Sequence, residues 1–248
     1  MASTSEQGHN RNAVNFDNLI IICTSYGATY NPNKAAIKIP AMQAQAITIK
    51  NSVTGMNNLV PAYKIAVDAR IAAFKPLDKI ITRANNALKA SDTTIEIINT
   101  AQTIVRKLQG RRATPKKTEE QKKVAADAGK EIVEISTSQM SYDSRIDNLD
   151  KLIKLLLSVA AYAPNEPELK VAALTALYTD LKAKNLAVVN AETLLSNARV
   201  ARNITMYKDN IGLVDVANDV KTYVKSVFGA TSPQYKQVCA LKFVKYPI

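Results

Sequence analysis

Apolar side chains recur at three- and four-residue steps through most of this chain, most regularly between residues 141 and 202. Ile146, Leu149, Leu152, Ile153, Leu156, Val159 and Ala160 fall on one helix face. Ala163-Pro164-Asn165-Glu166-Pro167 predicts a turn, because proline cannot continue a helix and Pro167 is preset for the first turn of the next. Beyond it, Leu174, Leu181, Val188 and Leu195 stand seven residues apart, the spacing that holds one seam against a partner as in a coiled coil. The pattern predicts a long helical hairpin.

A second stripe runs through Ile47, Ile49, Val53, Met56, Val60, Tyr63, Val67, Ile71 and Phe74, with Gly55 and Pro61 as weak points, to a boundary at Lys75-Pro76. Leu77, Ile80, Ile81, Ala84 and Leu88 continue it, and Ser91-Asp92 offers a cap. Ile95, Ile98, Ile104, Val105 and Leu108 carry it to Gly110, a plausible C-cap. Thr118 with Glu119, Glu120 and Gln121 resembles a capping box, opening a third helix expected to run unbroken over 119–162. A fourth helix through Tyr207 breaks at Gly212, and a last segment covers residues 213–228.

Two stretches lack this period. Leu19 to Cys23 is β-branched and apolar, Ala36 to Pro40 alternates, and Val238 to Lys245 alternates again. The two ends are expected to meet, as a small sheet or as extended segments along the helices. The fold class is all-α: an elongated antiparallel up-down bundle of about four long helices, with short extended or β segments from the two termini. The domain plan is a flexible polar arm over 1–17 and one bundle over 18–248. Within the bundle, 18–40 and 235–247 are extended and 41–228 is helical. Ala69-Arg70-Ile71-Ala72 is echoed by Ala198-Arg199-Val200-Ala201, a match that Ala-rich amphipathic helices produce by chance.

Composition agrees with close helix packing: 47% of the 248 residues are hydrophobic, yet only 6% are aromatic and none is Trp. No apolar run approaches the roughly 18 residues that a membrane span needs. The polar N-terminus carries no basic patch ahead of an apolar stretch, so no signal peptide is visible and a cytoplasmic location is expected. Cys23 and Cys239 fit two reduced thiols, and a disulfide between them stays open.

Catalytic groups are sparse. His9 is the single histidine, the seven glycines form no phosphate-cradling loop, and no Cys-x-x-Cys occurs. No enzyme, metal or cofactor is expected. Asp143, Asp147 and Asp150 share a helix face and could hold a hard cation, but a solvated acidic edge answered by Arg145 and Lys151 is the plainer reading. Asp215 and Asp219, with Lys221 nearby, read the same way. Tyr142, Tyr162, Tyr178, Tyr207 and Tyr223 are expected to close the bundle edge, ring buried and hydroxyl wet.

The formal charge of +12 is uneven. Arg106, Lys107, Arg111, Arg112, Lys116 and Lys117 lie in one acid-free stretch, making them candidate contacts for an anion or nucleic acid. The C-terminal run from Tyr235 to Tyr246 interleaves basic and aromatic residues, which suits base stacking or, more simply, a strand packed on the bundle.

Three segments carry a resemblance. Ala28-Thr29-Tyr30-Asn31-Pro32 is the first, and Ile135-Ser136-Thr137-Ser138-Gln139-Met140-Ser141 the second. The third joins Tyr223-Val224-Lys225-Ser226-Val227-Phe228-Gly229-Ala230 to Ser232-Pro233-Gln234-Tyr235-Lys236. Together they resemble an uncharacterised family of bacterial all-helical proteins. The resemblance implies helices and a bacterial origin and transfers no site. The functional expectation is a non-enzymatic helical structural or interaction protein, bound to an unknown protein partner or to itself. The alternatives are a membrane-active protein of the α-pore-forming type and nucleic-acid binding through the basic clusters.

Overall fold

A computed structural model of the chain describes residues 8–111, 118–128 and 140–247. The periodic stretches become helices: α1 (His9–Ser25), α2 (Ile39–Phe74), α3 (Leu77–Lys89), α4 (Ile95–Leu108), α5 (Glu119–Asp127), α6 (Tyr142–Ser158), α7 (Val171–Tyr207), α8 (Leu213–Phe228) and α9 (Pro233–Ala240). Short 3₁₀ turns at Ala35–Ile37 and Pro167–Leu169 lead into α2 and α7.

The hairpin stripe is kept through Val159, while Ala160, also expected on it, is exposed beyond the end of α6. Ile146, Leu149, Leu152, Ile153 and Leu156 of α6 are buried, as are Leu174, Leu181, Val188 and Leu195 of α7. α2 runs through Gly55 and Pro61 as one helix. Gly110 ends α4 with φ +66°, in the left-handed region glycine favours, while the Arg111 N–H reaches back to the Arg106 carbonyl at 2.8 Å.

Other expectations need correction. The third helix does not run over 119–162, because Ser141 is extended and its Oγ accepts the Ser144 N–H at 3.1 Å, starting α6 afresh. Among the described residues there is no strand, so the β segments expected at the termini are absent. The 18–25 stretch is the C-terminal half of α1, which already starts at His9, inside the span expected as a flexible arm. Its buried stripe is Asn12, Ala13, Asn15, Phe16, Leu19, Ile20 and Cys23, and two of those seven are polar, which hides the period from an apolar count. Ser232 caps α9 and Pro233 takes its first turn, so residues 233–240 are helix rather than strand.

The chain divides into two compact units. Unit 1 takes residues up to Lys64 and from Asn190 onward; unit 2 is Ile65–Val189. The divisions fall inside α2 and α7. Each unit has its own core: Phe16, Leu19, Met42, Tyr207, Leu213 and Val220 in unit 1, and Leu77, Leu88, Leu108, Leu149 and Leu152 in unit 2.

The units repeat one plan. Tyr30, Pro32, Asn33, Ile37 and Lys38 stand in register with Tyr162, Pro164, Asn165, Leu169 and Lys170. In both copies the buried tyrosine hydroxyl donates to the carbonyl of the aliphatic residue, Ile37 or Leu169, at 2.7 Å. Buried positions match as well: Ala13, Asn15, Phe16, Leu19, Ile20 and Cys23 of α1 with Ile146, Asn148, Leu149, Leu152, Ile153 and Leu156 of α6. Leu213, Ala217, Val220 and Val224 of α8 likewise match Leu77, Ile81, Ala84 and Leu88 of α3.

Candidate functional site

The basic stretch is only partly within the described residues. Arg106 and Lys107 sit in the last turn of α4, where cations suit the negative end of the helix, and Arg111 follows it, exposed. The Arg106 guanidinium turns back to Thr103 Oγ1 at 2.9 Å. Arg112, Lys116 and Lys117 lie outside the described residues.

The acidic edge resolves into local pairs. Lys151 bridges Asp147 at 2.5 Å and Lys154 bridges Asp150 at 2.6 Å, each one helical turn on. Asp143 instead accepts the Asn185 Nδ2 at 2.7 Å, and Arg145 bridges Asp78 of α3. Among the described residues no cluster of acids, histidines or cysteines is grouped to hold a metal. Asp215 pairs with Lys245 at 3.1 Å and Asp219 with Lys34, while Lys221 donates to the Leu241 carbonyl at 2.7 Å. The tyrosines do more than close an edge: Tyr162 and Tyr207 are buried with their hydroxyls bonded internally.

The two ends of the chain do meet, in unit 1, through side chains rather than a sheet ladder. Asn12 grips the Val244 backbone from both sides: its Nδ2 donates to the carbonyl at 2.7 Å and its Oδ1 accepts the N–H at 3.1 Å. Asn15 donates to the Lys242 carbonyl at 2.7 Å and Asn203 to that of Pro247 at 3.1 Å. Buried asparagines satisfying an extended backbone remove its need for a neighbouring strand. Tyr246 packs with its ring centroid 5.1 Å from His9 and 5.6 Å from Tyr207. Cys23 and Cys239 are both free thiols, and burial pushes the Cys23 thiol up to about 12, leaving it inert.

Beside this junction unit 1 contains a cavity of about 330 Å³. Its polar wall is the start of α1 (Gly8, His9, Asn10 and Arg11) together with Arg202 of α7; Val14, Val53 and Met56 make the apolar wall. Arg202 is 8% exposed, and its Nε and Nη2 share one acceptor, Asn203 Oδ1, at 3.1 and 2.8 Å. Among the described residues no carboxylate lies within ion-pairing distance of it. Burial lowers the affinity of Arg202 for its proton, and burial together with the Arg202 charge holds His9 below its usual value. His9 Nδ1 lies 2.7 Å from the Tyr207 hydroxyl, whose oxygen also receives Asn12 Nδ2 at 3.3 Å. Sequence reasoning placed His9 in a flexible arm and left Arg202 unremarked. The twice-occurring Tyr-x-Pro-Asn turn was the available signal, because it sets the register in which Arg202 aligns with Arg70.

No family model matches the chain, and no curated protein or solved structure is significantly similar to it.

Proposed function

We propose that this protein is a non-enzymatic helical interaction protein that associates with a second copy of itself through the exposed apolar face of the unit 1 part of α7. The observation that carries the reading is an uncharged apolar face. Leu194, Val200 and Ile204 of unit 1 are all more than two-fifths exposed, and Val200 and Ile204 fall within a narrow arc at the helical step. Asn197 shares that arc, and no charged residue falls on it between Asn190 and Lys208.

Charge argues for the occupant. A chain of net +12 repels its own copy, and a charge-free face is where two copies approach at least cost. An acidic partner would be drawn to lysine-bearing surface instead. One helix face is small beside the ~800 Å² per partner of a standard interface, so the association is weak and concentration-dependent. Light scattering over a micromolar-to-millimolar series is expected to show a monomer passing to a dimer. The double substitution Val200→Asp with Ile204→Asp is expected to abolish the dimer without changing helicity. A wild-type chain that stays monomeric over the whole series overturns the reading.

A further inference from the structure

The cavity at the start of α1 has a counterpart in unit 2, and the two differ in sign. By register, Gly8, His9, Asn10, Val53 and Arg202 correspond to Ser141, Tyr142, Asp143, Asn185 and Arg70. In unit 2 the arginine is answered by a carboxylate through an asparagine relay, although the buried Arg70 Nε itself makes no hydrogen bond. Ser141 caps the helix, Asp143 puts a carboxylate in its first turn, Asn185 links Asp143 to Arg70 Nη1 at 3.0 Å, and the Arg70 guanidinium lies 3.9 Å over the Tyr142 ring.

Unit 1 keeps the arginine and loses the rest. Gly8 gives no side-chain cap, the first turn of α1 holds no acid, and Asn10 stands where Asp143 would be. The first N–H groups of α1 have no carbonyl partner within the helix. Arg202 is nine-tenths buried with no carboxylate among the described residues, and Arg11 adds a second positive charge on the same wall. A desolvated cation beside a helix N-terminus is an incomplete electrostatic arrangement that a bound anion completes.

We propose that this cavity binds a small organic anion, whose phosphate or carboxylate head takes the place that the Asp143 carboxylate holds in unit 2. The volume exceeds what a bare oxyanion fills, and Val14, Val53 and Met56 give the remainder an apolar lining. The ligand therefore carries a compact apolar body. Arg202 faces the head, the α1 N–H groups orient it, and His9 is within reach at the rim.

Calorimetric titration of the full chain with phenyl phosphate, benzoate, inorganic phosphate and benzylamine tests this. Phenyl phosphate or benzoate is expected to bind, inorganic phosphate more weakly, and benzylamine not at all. Asn10→Asp, which installs the unit 2 carboxylate, is expected to weaken anion binding at least tenfold while leaving the free protein as stable as before or more so. Arg202→Met should abolish binding; should that variant fail to fold, Asn10→Asp still decides. Absence of binding by both aromatic anions, or equal binding by wild type and Asn10→Asp, overturns the proposal.

Discussion

Units 1 and 2 use one frame and finish it differently. In unit 2 the first helix of the plan, α6, is covered by a full helix, α4, and its start is capped and charge-balanced by its own residues. In unit 1 the equivalent helix, α1, packs on α8 and is lined by residues 241–247, an extended tail held through Asn12 and Asn15, while the short α9 packs on α8. The start of α1 opens on a cavity with unbalanced positive charge. What stays the same between the copies is mostly apolar, the stripe positions and the tyrosine that locks the entry to the long helix, with Asn15/Asn148 and Arg202/Arg70 as the polar positions both keep. What differs is polar and local. The lesson is that burial pattern preserves a fold while single polar exchanges, such as Asp143 against Asn10, set what each copy can bind.

The strongest way to break the comparison is through the cores. Phe16 and Leu149 are fully buried at the same register position. Phe16→Ala is expected to cost ~3–5 kcal/mol and Leu149→Ala ~2–5 kcal/mol, by lost transfer energy plus cavity. Denaturant titration checks both. A loss below ~1 kcal/mol at either site would show that the two stripes do not do equivalent work.

A finer probe is the tyrosine lock. Tyr30→Phe and Tyr162→Phe each remove one hydroxyl and leave a buried carbonyl, of Ile37 or Leu169, without its donor. Each is expected to destabilise by ~1–3 kcal/mol. The two values should agree within about 1 kcal/mol, because geometry and burial are the same in both copies. A clear inequality, measured by urea midpoints, would show that the lock matters in only one unit.

Much of the frame was legible in the sequence. The α6 stripe, the α7 seam, the Gly110 terminus and the bounds of α8 all follow from helical period and glycine placement, and the structure keeps them. The ends of the chain were misread for one shared reason. Leu19 to Cys23 looked like strand because it is β-branched, yet tertiary packing with Asn12, Asn15 and Phe16 draws it into a helix. The alternation over 238–245 is really the end of α9 followed by a tail whose backbone partners are asparagine side chains, which no period reveals. The cavity was hidden for a further reason. Its charge imbalance shows only when Asn10 is compared with Asp143, and that comparison needs the repeat, whose identities outside the Tyr-x-Pro-Asn turn are few and scattered.

The smallest expected effect is a pH dependence confined to unit 1. Burial and the neighbouring Arg202 charge lower the His9 pKa from 6.5, so the folded protein favours neutral imidazole. His9 faces Tyr207 and Tyr246 through its ring and Arg202 and Arg11 across the cavity, with no carboxylate among the described residues to favour the cation. In the neutral ring an unprotonated His9 Nδ1, 2.7 Å from the Tyr207 oxygen, can accept the Tyr207 hydroxyl proton, an acceptor that the protonated ring lacks. Above pH 6.5 both folded and unfolded chains hold the ring neutral and the full stability is present. As pH falls below 6.5 the unfolded chain takes up a proton first, and stability declines until the folded form protonates too. His9 is the only histidine, so between about pH 6.5 and 5 no other side chain of ordinary pKa titrates. The urea midpoint of the wild type is therefore expected to fall from pH 7.5 to 5.5. The variant His9→Tyr, which copies Tyr142 of unit 2, should show a flatter profile over the same range. A midpoint that rises on acidification, or an unchanged slope in His9→Tyr, would mean that the ring is not held neutral and that the positive field around Arg202 is weaker than the geometry requires.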